Sequence, residues 1–359
     1  MEDIQITGLR ARAVNVPLQY PIKTAVGTVA TSPLVLIDLL TNANVTGHAY
    51  VFTYTPLALK PTLRMVEELE ALVKGLPLSP QDIDRALTSR FRLIGNTGIV
   101  RIATAGIDMA AWDAKAKAHR LPLVELLGGK ARPLNVYDSH SMDDVELGMK
   151  RARDSVEAGF KAVKTKVGYA TLEYDLKVVR ALKQVTGETA QLLVDYNQGL
   201  SVPEAKRRGR ALEAEGISWI EEPTLQHDYA GHASIREALK IPVQMGENWF
   251  GPDEMQKAID ARACDFCMPD LMKIGGVTSW LKASALAEQH GLPMSSHIFE
   301  EFSAHLLAVS PTAHFLEKMG IAAPILEPVI EYKDGQAHFG NETGAGIRWN
   351  EDAVSRYLA

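Results

Sequence analysis

Cysteine is almost missing from this chain: its 359 residues include two, Cys264 and Cys267. Their spacing is that of a redox or half-zinc motif. However, no second pair exists, and Asp265-Phe266-Cys267-Met268 leads into a strand rather than opening a helix that would stabilise a thiolate. Buried, inert thiols are expected. Positive charge is also in short supply. The net charge of −6 and the pI near 6.0 leave no basic footprint, which argues against nucleic acid as a partner. No apolar run is long enough to span a bilayer, and Met1-Glu2-Asp3 lacks the basic and apolar pattern of an export signal. A cytoplasmic protein without a membrane partner is therefore expected. Low-complexity segments and charge blocks are missing as well.

A length of 359 residues exceeds a typical domain and predicts one large domain with a smaller one. Before residue 130, Ile4 to Val16 and Pro33 to Leu40 read as strands, while Pro61 to Val73 and Ile102 to His119 have the apolar periodicity of helices. Residues 1–130 are thus expected to form an α+β unit. After Gly128-Gly129 and Pro133 the pattern becomes strand, helix, strand, helix. Strands are predicted at Asn135 to Ser139, Ala162 to Val167, Leu192 to Asn197, Ser218 to Glu222, Val243 to Glu247, Phe266 to Asp270 and Met294 to His297. Such alternation implies a parallel sheet, and this many units predict a barrel over residues 131–324. Residues 325–359 look irregular and are expected to fold back on the first unit.

Three acids recur at equal intervals of 26 residues, Asp195, Glu221 and Glu247, each closing an apolar, β-prone run. The runs are Leu192-Leu193-Val194, Trp219-Ile220 and Pro242-Val243-Gln244-Met245-Gly246. The interval is the length of one βα unit, which returns an acid to the same rim each time. Carboxylates at the ends of buried strands are poor structural choices unless a cation meets them. The repeat predicts a metal site; three surface acids in loops are the bland alternative.

Active residues of a barrel gather at the C-terminal ends of its strands. Lys164 and Lys166 end one strand, and alternation points both to one side. Two ammonium groups on one face oppose each other's protonation, and a nearby divalent ion adds to that, so one amine is expected to act as a base near neutral pH. A solvated pair on an exposed edge is the alternative. Asp270 and His297 end successive strands, where the carboxylate can fix the imidazole tautomer and strengthen the other nitrogen as a base. Other histidines, such as His119, His232 and His305, read as surface or satisfied core. Glu317, after His314-Phe315-Leu316, is expected to be an acid in an apolar setting whose neutral form donates a proton or hydrogen bond. The run from Lys273 to Thr278 holds a glycine pair that could cradle an anion, though a tight turn is the plainer reading.

In order and spacing, Lys164-x-Lys166, Asp195-x-Asn197, Glu221, Glu247, Asp270, His297 and Glu317 resemble the mandelate racemase branch of the enolase superfamily. So do the segments Val194-Asp195-Tyr196-Asn197-Gln198 and Trp219-Ile220-Glu221-Glu222-Pro223-Thr224, and the similarity covers essentially the whole chain. The resemblance implies a modified (β/α)7β TIM-type barrel under an N-terminal α+β capping domain, with a C-terminal segment returning to the cap. It implies that Asp195, Glu221 and Glu247 hold Mg2+, with Mn2+ as a substitute. The pairing of a Lys or His base with magnesium is known family chemistry rather than anything spacing reveals. Lys166 would serve the S enantiomer and His297, backed by Asp270, the R enantiomer. Glu317 would be the electrophilic acid, Lys164 would contact the substrate carboxylate and tune Lys166, Asn197 would bond the substrate hydroxyl, and Ser139 would sit near the carboxylate.

The resemblance also implies that two cap loops, Pro21 to Ala30 and Val51 to Tyr54, close over the site. Ile22, Val26, Val29, Phe52, Tyr54, Ile298 and Met319 would then form an apolar wall suited to a phenyl ring. The implied activity is magnesium-dependent racemisation of mandelate or a similar aromatic 2-hydroxy acid, by two-base 1,1-proton transfer through an enediolate. A sugar-acid dehydratase on the same scaffold is the alternative, and a polar lid would favour it. A catalytically silent metal-binding protein is a third class, against which the intact bases weigh. A small-molecule substrate and a symmetric homo-oligomer, commonly an octamer, are the implied partners.

Overall fold

A computed structural model describes residues 4–359, so Met1-Glu2-Asp3, on which the export-signal reading rests, lies outside the described residues. The first unit is an antiparallel sheet of β1 (Ile6–Thr24), β2 (Gly27–Thr41) and β3 (Thr46–Phe52), in that order. It is followed by α1 (Pro56–Val73), α2 (Pro80–Arg90), α3 (Gly98–Ala118) and the short α4 (Leu123–Leu126). The Thr55 side chain accepts from the Leu57 N–H, and Pro56 occupies the first turn, so α1 starts where capping chemistry dictates. α3 lies against the sheet, buried without a break from Arg101 to Ala114. The approach is close enough that a Cβ on Gly47 of β3 would fall 2.0 Å from the Ala110 carbonyl oxygen.

Two expectations for this unit are corrected. β1 runs to Thr24 rather than stopping at Val16, and Pro21 to Ala30 is not a loop but the tip of a hairpin turning at Ala25-Val26. Pro17, Pro21 and Gly27 carry loop chemistry, yet the chain accommodates them with a break in register between Pro17 and Ile22.

The second unit is a parallel ladder of β4 (Leu134–Ser139), β5 (Ala162–Lys166), β6 (Gln191–Asp195), β7 (Ile220–Glu221), β8 (Val243–Met245) and β9 (Phe266–Cys267), paired in sequence order. Between them run α5 (Val145–Glu157), α6 (Leu172–Thr186), α7 (Val202–Leu212), α8 (Tyr229–Ala238) and α9 (Pro252–Asp260). α10 (Leu271–Ile274), α11 (Gly276–Gln289) and α12 (Glu300–Ala308) precede β10 (Leu316–Lys318), which pairs in parallel with β4. The strand expected at Met294 to His297 is reduced to single parallel bridges, Met294 to Cys267 and Ala313, and His297 to Asp270. Pro293 donates no hydrogen bond, and Ile298 and Phe299, at φ of 40° and 54°, turn the chain away at once. The architecture is an α/β fold with a barrel-like C-terminal unit.

The tail is more regular than expected. β11 (Glu331–Lys333) and β12 (Gln336–His338) form a hairpin that pairs antiparallel with β4, and α13 (Glu351–Arg356) follows. The tail then returns to the first unit, where Leu358 bridges Val14. The two units are also bolted through α3. Arg101 donates to the Ile274 carbonyl and to Ser279 Oγ, and the Asp108 carboxylate accepts from the Thr278 N–H. A Cβ on Gly275 or Gly276 would collide with these two side chains. The glycine pair is therefore a docking point whose helix N-terminus is taken by the protein's own Asp108. Cys264 and Cys267 are buried free thiols, with burial pushing Cys264 up to about 12. Among the described residues no helix is long and apolar enough to cross a membrane.

The tail's return is anchored by Asp38, whose fully buried carboxylate contacts Arg10 Nε at 2.7 Å, His48 Nδ1 at 2.6 Å and Trp349 Nε1 at 2.7 Å. Burial alone would raise this carboxyl, but hydrogen bonds from His48 and Trp349 outweigh it and hold the group at about 2. A carboxyl depressed on folding contributes stability that is present above the unfolded value, near 4, and lost as pH falls toward 2. Asp38→Asn is expected to cost about 2 kcal/mol at neutral pH and clearly less near pH 3, read by urea unfolding. An equal loss at both pH values would contradict this account.

Candidate active site

The strand ends bring the expected residues together. Both lysines of β5 are buried: Lys164 Nζ lies 2.5 Å from Glu221 Oε1 and 2.8 Å from Glu317 Oε1, and Lys166 Nζ lies 2.6 Å from Asp195 Oδ2. His297 faces Asp270 Oδ2 through Nδ1 at 2.7 Å and Glu247 Oε2 through Nε2 at 3.2 Å. The other oxygen of Asp270 accepts the Lys273 N–H at 2.9 Å and so caps α10. One carboxylate thus ties a helix start to the imidazole and assigns the Nδ1 proton. Gln244 Nε2 donates to Glu221 Oε2, the Asn197 N–H donates to Asp195 Oδ1, and the Ile298 N–H donates to Glu317 Oε2, so each acid is aimed by a fixed donor.

A cavity of about 460 Å³ opens at this rim. Its lining includes Lys166, Asn197, Glu247 and His297, together with the whole expected apolar wall of Ile22, Val26, Val29, Phe52, Tyr54, Ile298 and Met319. Ser139 is not among them. It lines a neighbouring cavity that shares Ile22 and Met319, and its buried Oγ has no hydrogen-bond partner. Sequence reasoning missed Thr24, Thr28, Gln198, Asn248 and Lys273 in the lining, and Glu222 behind it. The one signal for Glu222 was its place beside Glu221. Backbone strain also concentrates here: among the described residues, Tyr54, Asn197, Gln198, Glu222, Ile298 and Phe299 all have positive φ without being glycine.

Two protonation expectations are not met by the side chains alone. Neither lysine is depressed. Burial opposes the charge of Lys164 and Lys166, but Glu221 and Glu317 around the first, and Asp195 beside the second, push both upward. Glu317 is not a neutral acid either; burial would raise it, yet Lys164 and His297 draw it down to about 2. His297 is likewise raised, because Glu247 and Asp270 outweigh its burial. The cause is common to all of them: the acids and amines lie on facing strands and neutralise one another.

The neutralisation is incomplete. Six buried carboxylates, those of Asp195, Glu221, Glu222, Glu247, Asp270 and Glu317, meet three ammonium groups, those of Lys164, Lys166 and Lys273, and one imidazole. Burial, followed by the charges of Asp195, Glu317 and Glu247, lifts Glu221 to about 7 despite Lys164, and Glu222 is raised well above its ordinary value. Among the described residues no three acidic, histidine or cysteine side chains stand gathered as a ready metal cage. Asp195, Glu221 and Glu247 are turned instead onto Lys166, Lys164 and His297. An all-oxygen donor set carrying excess buried negative charge fits a hard divalent cation, which would compete with those three groups for the same oxygens.

Comparison with known proteins agrees with this chemistry. Residues 6–128 match the mandelate racemase / muconate lactonizing enzyme N-terminal domain, and residues 149–353 match the enolase C-terminal domain-like family. An enolase from Bradyrhizobium, solved in complex with magnesium and mandelic acid, is 44% identical with a TM-score of 0.96, covering 100% of this chain and 99% of that one. A racemase from Streptomyces coelicolor A3(2) with bound magnesium is 27% identical at a TM-score of 0.91, covering 99% and 100%. The L-talarate/galactarate dehydratase of Salmonella typhimurium is 32% identical over 283 residues, which is 76% of this chain and 70% of that protein. With both domains matched and the acidic rim in place, the chain belongs to the mandelate racemase / muconate lactonizing enzyme family of the enolase superfamily.

Proposed function

We propose that this protein is a magnesium-dependent racemase of mandelate or a similar aromatic 2-hydroxy acid. The observation that carries the reading is that Lys166 and His297, from elements that are not neighbours in the ladder, enter one cavity with an apolar wall. The mandelic acid held by the Bradyrhizobium relative supports it. In this reading residues 1–130 are the cap, 131–324 a (β/α)7β barrel closed through the single bridges at Met294, and 325–359 the returning tail. Asp195, Glu221 and Glu247 hold Mg2+, with Mn2+ able to replace it. The bound ion supplies Lewis-acid charge where the substrate carboxylate becomes more negative.

The chain's own groups do the remaining work. A proton beside a carboxylate is weakly acidic because its removal leaves a dianion, so cations must face the carboxylate oxygens. Lys164 contributes one, and Glu317, ionised while Lys164 holds it, would take up a proton as the substrate carboxylate draws Lys164 away and share it with the other oxygen. Lys166 removes the α-proton of the S enantiomer once Asp195 no longer holds its ammonium. His297, its tautomer fixed by Asp270, serves the R enantiomer and delivers the proton on the other face. Asn197 bonds the substrate hydroxyl. The apolar wall receives the aryl group, where a sugar chain would leave buried hydroxyls without partners.

The second reading is a sugar-acid dehydratase, in which protonated His297 expels a hydroxyl. Thr24, Thr28, Gln198 and Lys273 in the lining favour it, as does the Salmonella relative.

Incubation with magnesium and either mandelate enantiomer in deuterium oxide is expected to abolish optical rotation and install α-deuterium from both sides. Formation of a 2-keto acid from galactarate, with mandelate untouched, would replace the racemase by the dehydratase. Lys166→Ala is expected to slow exchange from the S side by about 100-fold or more while the R side continues, and His297→Asn the converse. Normal exchange from both sides in either variant would refute the base assignment. Magnesium at about a hundred times its Kd is expected to stabilise the protein by roughly 2.7 kcal/mol in a thermal melt. Asp195→Asn should remove that increment, and an unchanged increment would rule Asp195 out as a ligand.

A further inference from the structure

Lys273 is a buried ammonium that, among the described residues, has no carboxylate within ion-pairing distance, although it stands at a cavity rim crowded with acids. Its Nζ instead donates to Asn248 Oδ1 at 2.7 Å. An ammonium only donates, so the group it meets must be the amide oxygen, and this fixes which way the Asn248 amide points. The Nδ2 end is thereby directed at the acids, donating to Glu222 at 2.8 and 3.0 Å and to Glu247 Oε1 at 3.3 Å. The Tyr54 ring lies 4.3 Å from the ammonium and is itself packed 4.5 Å from Phe52. The Lys273 N–H is held by Asp270.

We infer that Lys273 and Asn248 form a positioning relay that sets the Glu247 carboxylate for a divalent ion and keeps Glu222 out of that ion's shell. The inference rests on the magnesium reading of Asp195, Glu221 and Glu247. Without the ammonium, the Asn248 oxygen loses its donor and the amide is free to turn, which takes its N–H group off Glu222 and Glu247 and leaves both acids without a fixed donor. The same four-residue segment, Asp270 to Lys273, therefore orients the imidazole of His297 through one end and a metal-binding carboxylate through the other.

The relay makes a prediction opposite in sign to simple charge effects. Removing a cation from the neighbourhood of Mg2+ lowers repulsion and on that ground alone tightens binding. If Lys273 acts through Asn248, its loss weakens binding instead. Calorimetric titration of the substrate-free protein with magnesium is expected to show Lys273→Met and Asn248→Ala each binding about 10 to 100-fold more weakly, with the double variant no weaker than Asn248→Ala alone. Lys273→Arg, which keeps a charged donor, is expected to restore most of the affinity. Unchanged or tighter binding in Lys273→Met overturns the relay, as does full additivity in the double variant. Should Lys273→Met fail to fold, Asn248→Ala and Lys273→Arg carry the same test. A wild-type protein that takes up no magnesium would overturn the metal reading and the relay together, whereas uptake by the wild type with no loss in the variants overturns the relay alone.

Discussion

Mutual repulsion among buried carboxylates at one rim of the sheet is the constraint around which this protein is organised. Asp195, Glu221 and Glu247 close successive strands β6, β7 and β8, and no apolar core could hold them there unaided. Lys164, Lys166 and His297 share the burden, and do so imperfectly: Glu221 remains raised to about 7, and Glu222 is raised well above its ordinary value. The groups that would have to move protons are the groups that now hold the acids quiet. In the proposed function a divalent cation would compete for the oxygens these groups now hold, and so free the amines.

The rest of the fold serves that rim. α3 docks on the second unit through Arg101 and Asp108 at the Gly275-Gly276 corner, directly after the segment that carries Asp270 and Lys273. The hairpin tip reaches the strand ends from the other side. A Cβ on Gly168 would come within 2.9 Å of Ala25 Cβ, and one on Gly199 within 2.8 Å, so the tip rests on two bare backbones following β5 and β6. The tail secures the same first unit through Asp38 and Trp349. The apolar wall of the cavity is consequently built from four stretches of chain, two from each unit, and its shape depends on their docking.

The acidic rim of Asp195, Glu221 and Glu247 was legible because the length of a βα unit imposes their interval, and Asp270 with His297 for the same reason. The membership of the apolar wall came through resemblance alone, and the cavity contains all of it. What was not legible depended on contacts across strands. The pattern of β5 places Lys164 and Lys166 on one side but cannot say that Glu221, Glu317 and Asp195 face them and raise both amines. Glu317 was misread for the same reason, its apolar neighbours in sequence concealing Lys164 in space. Lys273 reaches the cavity because a single turn of α10 swings it there, and its neighbouring glycines drew the reading toward a turn. The hairpin around Ala25 was hidden by prolines that usually interrupt strands.

A crystal structure of the protein with magnesium and a 2-hydroxy acid tests the central claim most directly. The account predicts oxygens of Asp195, Glu221 and Glu247 about 2.0 to 2.1 Å from one ion, with Lys166 Nζ released from Asp195 and facing the substrate α-carbon. Magnesium bound elsewhere, or Lys164, Lys166 and His297 still holding those three carboxylates, would contradict it.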